Sequence, residues 1–227
     1  VLHREWLPPK FHLPLIRMGI LILHDSSAHT EVGVEEGARQ DVENQTEISE
    51  NDFFLFHHVV GIGRDGRKLD HGLIEIIVVD NGSRVPLDSV SAAYPQVTIL
   101  HEPRPGPGLA RNRGIAAANA PVLAFIDADC RAAPGWLAAA LEAVEPMPNT
   151  TVVGGDVRID FEDPARLTPI EAYEAVFAFR QQFYIKTRNF SGTGNLAMGA
   201  AVHKQVGPFG GIELAEDQDW GQRAHRM

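Results

Sequence analysis

The sequence predicts an α/β fold: a mostly parallel sheet covered by helices on both faces, three layers in all. Three observations carry that expectation. Two short, largely apolar runs, Ile74–Val79 and Val122–Ile126, each lead straight into an aspartate, the pattern of strands buried on both faces. From Ile74 onward, strand-like and helix-like segments alternate, as a parallel sheet with crossover helices requires. The 227 residues, 44% hydrophobic and 22% charged, have ordinary globular composition and suit one large α/β domain better than two small ones.

Taken in order, the first seventy residues give the weakest signal. Leu15–Leu23 is a candidate strand, Glu31–Glu50 is acidic with weak helical periodicity, and Phe53–Ile62 is β-rich before a turn-like Gly63-Arg-Asp-Gly66. Ile74–Asp80 then reads as a buried strand, with the turn residues Asn81-Gly-Ser83 at its carboxyl end. Val85–Tyr94 fits a short helix, Val97–Leu100 a short strand, Pro103–Gly108 a loop and Leu109–Ala120 an alanine-rich helix. After the strand at Val122, Pro134 suits the first turn of a helix over Gly135–Val144. Its Trp136, Leu137, Ala140, Leu141 and Val144 form an apolar stripe. Thr151–Ile159 alternates like a strand, and Thr168-Pro169 opens a long helix towards Tyr184 whose aromatics are spaced for one buried face. Gly192–Gly199 is glycine-rich, Val202–Val206 a short helix, Gly207–Gly211 a loop, and Glu216–Arg226 the start of another helix. The expected division is a divergent N-terminal region over residues 1–73 and a core over 74–227.

Bulk properties exclude several classes. A net charge of −10 offers no basic stripe for nucleic acid. An anionic substrate then needs a metal or a local arginine cluster. The single cysteine, Cys130, rules out an internal disulfide and a multi-cysteine zinc site, suits a reducing cytosol, and reads as a small buried residue. No apolar run reaches the ~18 residues of a membrane span. The nearest, Leu13–Leu23, contains Arg17 and lacks the small-residue cleavage site of a secretory signal. A start at Val1 and a helix-like end at Met227 suggest a fragment.

Two tempting motifs do not hold. Gly61-Ile-Gly63-Arg-Asp-Gly66 followed by Asp80 imitates a dinucleotide fingerprint, but only Arg67–Leu73 remain for the crossover helix. A parallel crossover needs about a dozen residues, so a turn is the better reading. His57-His58 suggests a metal site, but adjacent strand residues point to opposite faces, and the pair reads as structural or incidental.

Asp127 and Asp129 end the most apolar strand of the chain. Carboxylates are costly there unless neutralised, and strand carboxyl ends are where ligands sit in open α/β sheets. A turn after Asp127 lets both reach one hard cation. Mg²⁺ or Mn²⁺ takes one or two protein carboxylates and leaves positions for substrate phosphates. A solvated turn at a strand end is the alternative.

Five segments in order carry more weight than any one alone: Val78-Val-Asp-Asn-Gly-Ser83, Gly106-Pro-Gly-Leu-Ala-Arg-Asn-Arg-Gly114, Phe125-Ile-Asp-Ala-Asp129, Ser191-Gly-Thr-Gly-Asn195 and Ala215-Glu-Asp-Gln-Asp-Trp220. Together they resemble a family 2 glycosyltransferase of GT-A fold, over roughly residues 74–223. The resemblance implies a metal-dependent, inverting transfer of a sugar from a nucleotide-sugar, a UDP-sugar first, to a hydroxyl acceptor. The acceptor would be a sugar, a lipid-linked group or another hydroxyl. It puts Asp80 and Ser83 at the nucleotide, and the segment of Arg111 and Asn112 against it, behind a glycine-rich loop where helix N–H groups favour phosphate. It assigns Asp129 to the metal, and Asp127 to the nucleotide-sugar or the metal's shell, with Mg²⁺ or Mn²⁺ as cofactor. Gly194 and Asn195 match the loop under donor sugar and acceptor. Asp217, of the pair Glu216-Asp217, matches the general base. Glu216 and Asp219 also suit the first turn of a helix, and Trp220 reads as packing. The implied setting is polysaccharide, glycolipid or cell-envelope assembly in the cytoplasm, at the cytoplasmic face of the membrane and with peripheral contact to it.

The chain departs from the family upstream of Ile74. Met18-Gly-Ile-Leu-Ile-Leu-His-Asp-Ser-Ser27 is the nearest candidate for the family's opening strand, yet it lies far upstream of the expected place. That departure and the end at Met227 raise a second reading, a non-catalytic or truncated relative. A sugar nucleotidylyltransferase is a third; it should carry an N-terminal glycine-rich phosphate loop, which Gly61–Lys68 imitates poorly.

Overall fold

A computed structural model describes residues 18–24, 74–83, 86–161 and 163–227. The expectations for residues 31–50, 53–62 and 63–66, the glycine motif at 61–66 and the His57-His58 pair lie outside the described residues.

Six strands form one sheet: β1 (Met18–His24), β2 (Ile74–Asp80), β3 (Val97–His101), β4 (Val122–Asp127), β5 (Val152–Gly154) and β6 (Asn195–Gly199), in the spatial order β3-β2-β1-β4-β6-β5. β1 pairs in parallel with both β2 and β4, and β2 in parallel with β3, whereas β6 runs antiparallel between β4 and β5. The strand candidate that lay far upstream in sequence therefore occupies the middle of the sheet. Chain distance did not prevent it: pairing depends on register, and lengthening a connection adds closure entropy only slowly.

Seven helices are described: α1 (Asp88–Ala93), α2 (Pro107–Ala117), α3 (Trp136–Val144), α4 (Pro169–Phe177), α5 (Gln181–Arg188), α6 (Ala200–Val206) and α7 (Glu216–His225). Strand alternation sorts the core into two layers of side chains. Ile76 and Val78 of β2, with Val122, Ala124 and Ile126 of β4, pack on Val90 of α1 and on Leu137, Leu141 and Val144 of α3. The intervening residues face the opposite way. Ile77 and Val79 meet Ala110 of α2, and Leu123 and Phe125 meet Val202 of α6, Phe209 and Trp220 of α7. The expected three layers are thus present.

Three elements differ from expectation. The glycine-rich stretch Gly192–Gly199 holds the antiparallel strand β6. The strand read over Thr151–Ile159 is only Val152–Gly154, because its partner leaves the sheet. The ladder ends where Gly155 donates to the Asn195 carbonyl; just before Asn195, Thr193 turns away to bond Asp217. The single helix expected from Thr168 to Tyr184 is two. α4 opens on a capping box between Thr168 and Glu171, with Pro169 in its first turn. It stops before Phe179, whose φ of +48° lies in the left-handed region. A new helix starts at Gln181, a buried amide whose Oε1 accepts from the Gly192 N–H at 2.8 Å. That anchor fixes α5 against the segment leading into β6. α4 has no buried residue, so the aromatic face expected to be covered, with the Tyr173 and Phe177 ring centroids 4.8 Å apart, is exposed.

Candidate active site

The register of the sheet determines where the chemistry gathers. His24 at the end of β1 is level with Asp80, and Leu23 with Asp127, so the two acidic strand ends flank the end of β1. From β1 the chain adds strands to one side and then, through β4, to the other, which makes this carboxyl edge a topological switch point. β6 begins at the same edge, with Asn195 opposite Ile126.

Asp80 sits at the outer side of this edge. Its Oδ1 accepts from the Ser83 backbone N–H at 2.9 Å and from the Ser83 hydroxyl, and its Oδ2 lies 3.5 Å from His101 Nδ1. Burial works to raise its carboxyl, but the hydrogen bonds from Ser83 and the His101 neighbour outweigh it and hold the group below the usual carboxylate range. Asp80 and Ser83 are therefore brought together, in a turn-closing arrangement. Asn81 beside them is buried and bridges to the following loop, donating to the carbonyls of Glu102 and Arg104 and accepting from the Gly106 N–H.

The centre of the site is Arg111, on the first turns of α2. Its side chain is 4% exposed. Nη1 donates to Glu216 Oε1 at 2.7 Å and to Asp217 Oδ1 at 3.2 Å, and Nη2 lies 3.5 Å from Asp127 Oδ1. The guanidinium also stands 5.9 Å over the ring of Phe209. One cation thus joins the end of β4 to the first turn of α7. Asp217 is held from its other side by Thr193, whose N–H donates to Oδ2 at 3.1 Å and whose hydroxyl donates to Oδ1 at 2.8 Å. Asp127 rises above its usual carboxyl pKa chiefly through burial; Arg111 opposes this, and the charges of Asp129 and Asp217 add to it.

Gly194 lies directly against Asp127: a Cβ there would stand 2.8 Å from Oδ2. Asn195 is fixed by Trp136, whose Nε1 donates to its Oδ1 at 2.8 Å, and by its own Nδ2 donating to the Asp156 carbonyl at 2.8 Å. Asp129 is exposed on the turn after β4. Cys130 next to it is a thiol pushed up to about 12 by burial and by the two aspartates, in keeping with a packed, unreactive residue.

Arg111, Asp127, Asp217 and Gly194 are therefore assembled at one place, with Asn195 and Asp129 at its border. Asn112 is not. Both ends of its amide are taken by Phe209, Nδ2 donating to the carbonyl and Oδ1 accepting from the N–H, each at 2.9 Å. Asp219 pairs with Arg223 one turn along α7. Trp220 is buried against Phe209 and donates to the Gly207 carbonyl, the packing role its sequence suggested. Sequence reasoning gave Thr193 no role, although it lies inside the Ser191–Asn195 segment, and missed the contacts of Glu216, Trp136 and Gln181. Their partners are 105, 59 and 11 residues away, so no local pattern marks them.

The residues fit a divalent cation. Hard oxygen donors predominate, with four carboxylates against one buried guanidinium, and the missing Cβ at Gly194 keeps Asp127 Oδ2 clear. Among the described residues no cluster of three or more His, Cys, Asp or Glu is arranged to hold a metal. Asp129 and Asp127 are the residues that would hold such a cation.

Comparison with known proteins agrees with this architecture. Solved structures with the same fold include TarS of Staphylococcus aureus in complex with UDP-GlcNAc, at a TM-score of 0.59 and 15% identity, covering 92% of this chain and 53% of that one. Another is the mannosyltransferase PcManGT of Pyrobaculum calidifontis in complex with GDP-Man and Mn²⁺, at 0.58 and 16%, covering 92% and 52%. The fold is that of GT-A glycosyltransferases. The sequence profile of Glycosyl transferase family 2 matches residues 64–204, and the chain belongs to that family. Among curated relatives, the glycosyltransferase AglE of Haloferax volcanii is 33% identical over 156 residues, which is 66% of this chain and 50% of that protein. The chain spans about half the length of AglE and of the two solved structures. No helix among the described residues is long and apolar enough to cross a membrane.

Proposed function

We propose that the chain transfers a sugar from a nucleotide-sugar, a UDP-sugar first, to a hydroxyl acceptor, with inversion and with a divalent metal. The observation that carries this reading is the junction of Asp127, Arg111, Asp217 and Thr193 at the switch point of the sheet. In the reaction Asp217 takes the proton of the acceptor hydroxyl. The acceptor oxygen forms its bond to the anomeric carbon as the bond to the donor diphosphate breaks, and the electron pair leaves with the nucleoside diphosphate. Asp217 is equipped for this: its side chain is 28% exposed, so a hydroxyl can reach it. Oδ2 has one hydrogen bond, from Thr193, and retains a lone pair for the proton. General-base help of this kind is worth about 10²–10⁴ in rate. A cation at Asp129 and Asp127 would supply Lewis-acid stabilisation of the departing diphosphate.

Asp80 and Ser83 form the nucleoside end of the site, and Gly194 and Asn195 the floor beneath the sugar. The ligands bound in the solved neighbours, UDP-GlcNAc in TarS and GDP-Man in PcManGT, support a nucleotide-sugar donor. Glycan or cell-envelope assembly on the cytoplasmic side, with a sugar or lipid-linked acceptor, is the corresponding setting. The test is a calorimetric titration of UDP and of GDP, with and without Mn²⁺, on the wild type and on Asp129→Ala. Metal-dependent UDP binding lost in Asp129→Ala supports the reading. Absence of binding by the folded wild type at millimolar nucleotide refutes it.

A further inference from the structure

Arg111 is the most deeply buried charge in the site, and its direction differs from what the resemblance implies. A guanidinium that binds a donor diphosphate should present its N–H groups to an open surface. Here Nη1 is committed to Glu216 and Asp217, and Nη2 faces Asp127. Nε is buried without a partner among the described residues, and the cation lies over the Phe209 ring. The surroundings lock this arrangement. A Cβ at Gly108, one turn ahead of Arg111 on α2, would come 3.2 Å from Phe209 Cβ and 3.3 Å from Glu216 Cβ, and Asn112 ties the helix to the Phe209 backbone.

We infer that Arg111 is a positioning residue that clasps Asp217 and Glu216 to the end of β4, and not a ligand of the donor diphosphate. The inference rests on Asp217 being the base. Arg111 and Thr193 grip the Asp217 carboxylate from two sides, so Oδ2 keeps one orientation while Oδ1 carries both the guanidinium and the Thr193 hydroxyl. Without the guanidinium, Asp217 retains only Thr193, and the carboxylates of Asp127, Asp217 and Glu216 lose the cation between them. α7 would then be free to shift against the strand that carries Asp127, separating base from donor site. Small displacements of this kind cost turnover more than affinity.

The experiment is a mutant cycle on the 227-residue chain: wild type, Arg111→Gln, Arg111→Lys, Asp217→Asn and Arg111→Gln/Asp217→Asn. Two quantities are read. One is the Kd for UDP with Mn²⁺; the other is kcat for UDP release from whichever of UDP-glucose and UDP-N-acetylglucosamine the wild type turns over faster. Arg111→Gln should lower kcat about a hundredfold at a Kd within twofold of wild type. Arg111→Lys should recover part of the loss, and Arg111→Gln should add less than threefold once Asp217 is already Asn. A tenfold weaker Kd at unchanged kcat, or losses that multiply in the double variant, overturns the inference. If the Arg111 variants do not fold, Glu216→Gln replaces them, since it loosens the same guanidinium; undiminished kcat in that variant also overturns it. Wild-type turnover in Asp217→Asn would instead sink the base assignment itself. That outcome differs from failure of the inference alone, in which Asp217→Asn is inactive and Arg111→Gln is not.

Discussion

Asn112 offers a direct measurement of what α2 does for the site. Its amide satisfies both backbone groups of Phe209, a residue 3% exposed, across 97 residues of chain. In Asn112→Ala both bonds vanish, and a buried N–H and C=O lose their partners. Each net hydrogen bond is worth about 1 kcal/mol, and an orphaned buried group about 1–3 kcal/mol, so the loss should total about 2–4 kcal/mol. For a chain of this size that corresponds to a fall in Tm of roughly 5–15 °C. The assay is thermal unfolding followed by circular dichroism, with UDP–Mn²⁺ affinity measured well below the transition. Expected is a large fall in Tm with affinity kept within a few-fold. An unchanged Tm with affinity reduced tenfold or more would refute the reasoning and return Asn112 to the nucleotide, where the resemblance puts it.

Three further outcomes follow from neighbouring geometry. Gly194→Ala should push Asp127 Oδ2 from its place, since the new Cβ would stand 2.8 Å away; UDP binding in Mn²⁺ should weaken about tenfold by calorimetry, with little change without metal. Thr193→Val removes the hydroxyl from Asp217 and keeps the backbone N–H, so kcat should fall at least tenfold while UDP affinity holds, a hydrogen bond to a charged group being worth about 1.5–3 kcal/mol. His203 is neutralised by burial and by the nearby Arg223, so its pKa in the folded state lies below the ordinary value of 6.5. Below pH ~6.5 the unfolded chain then binds more protons than the folded one, and stability is lost as pH falls. Denaturant midpoints at pH 7.5 and pH 5 should therefore diverge less in His203→Phe than in wild type; equal divergence counts against a titrating His203.

The candidate site was legible in proportion to how local its signals are. Asp80, Asp127 and Asp129 announce themselves because a carboxylate at the end of an apolar run is conspicuous, and Asp217 because an acidic pair opens a helix. Thr193 and Trp136 were not legible in their roles, since each acts through a partner that only the sheet brings near. The split between α4 and α5 escaped the sequence for a related reason. Helical periodicity continues through Phe179, and what breaks it is Gln181 reaching Gly192. The exposed face of α4 shows the limit of aromatic spacing as a guide: periodicity says which residues share a face, not whether that face is covered.

By itself the sequence determined the α/β class, the alternating strands and helices from Ile74, the acidic strand ends and the family, because each is written in runs of a few adjacent residues or in ordered motifs. The tertiary structure decided that Met18–His24 stands in the middle of the sheet, since strand pairing depends on edge and register rather than on distance along the chain. It also decided what Arg111 faces. A helix position leaves a long cationic side chain several directions, and here three carboxylates from two other elements select one of them.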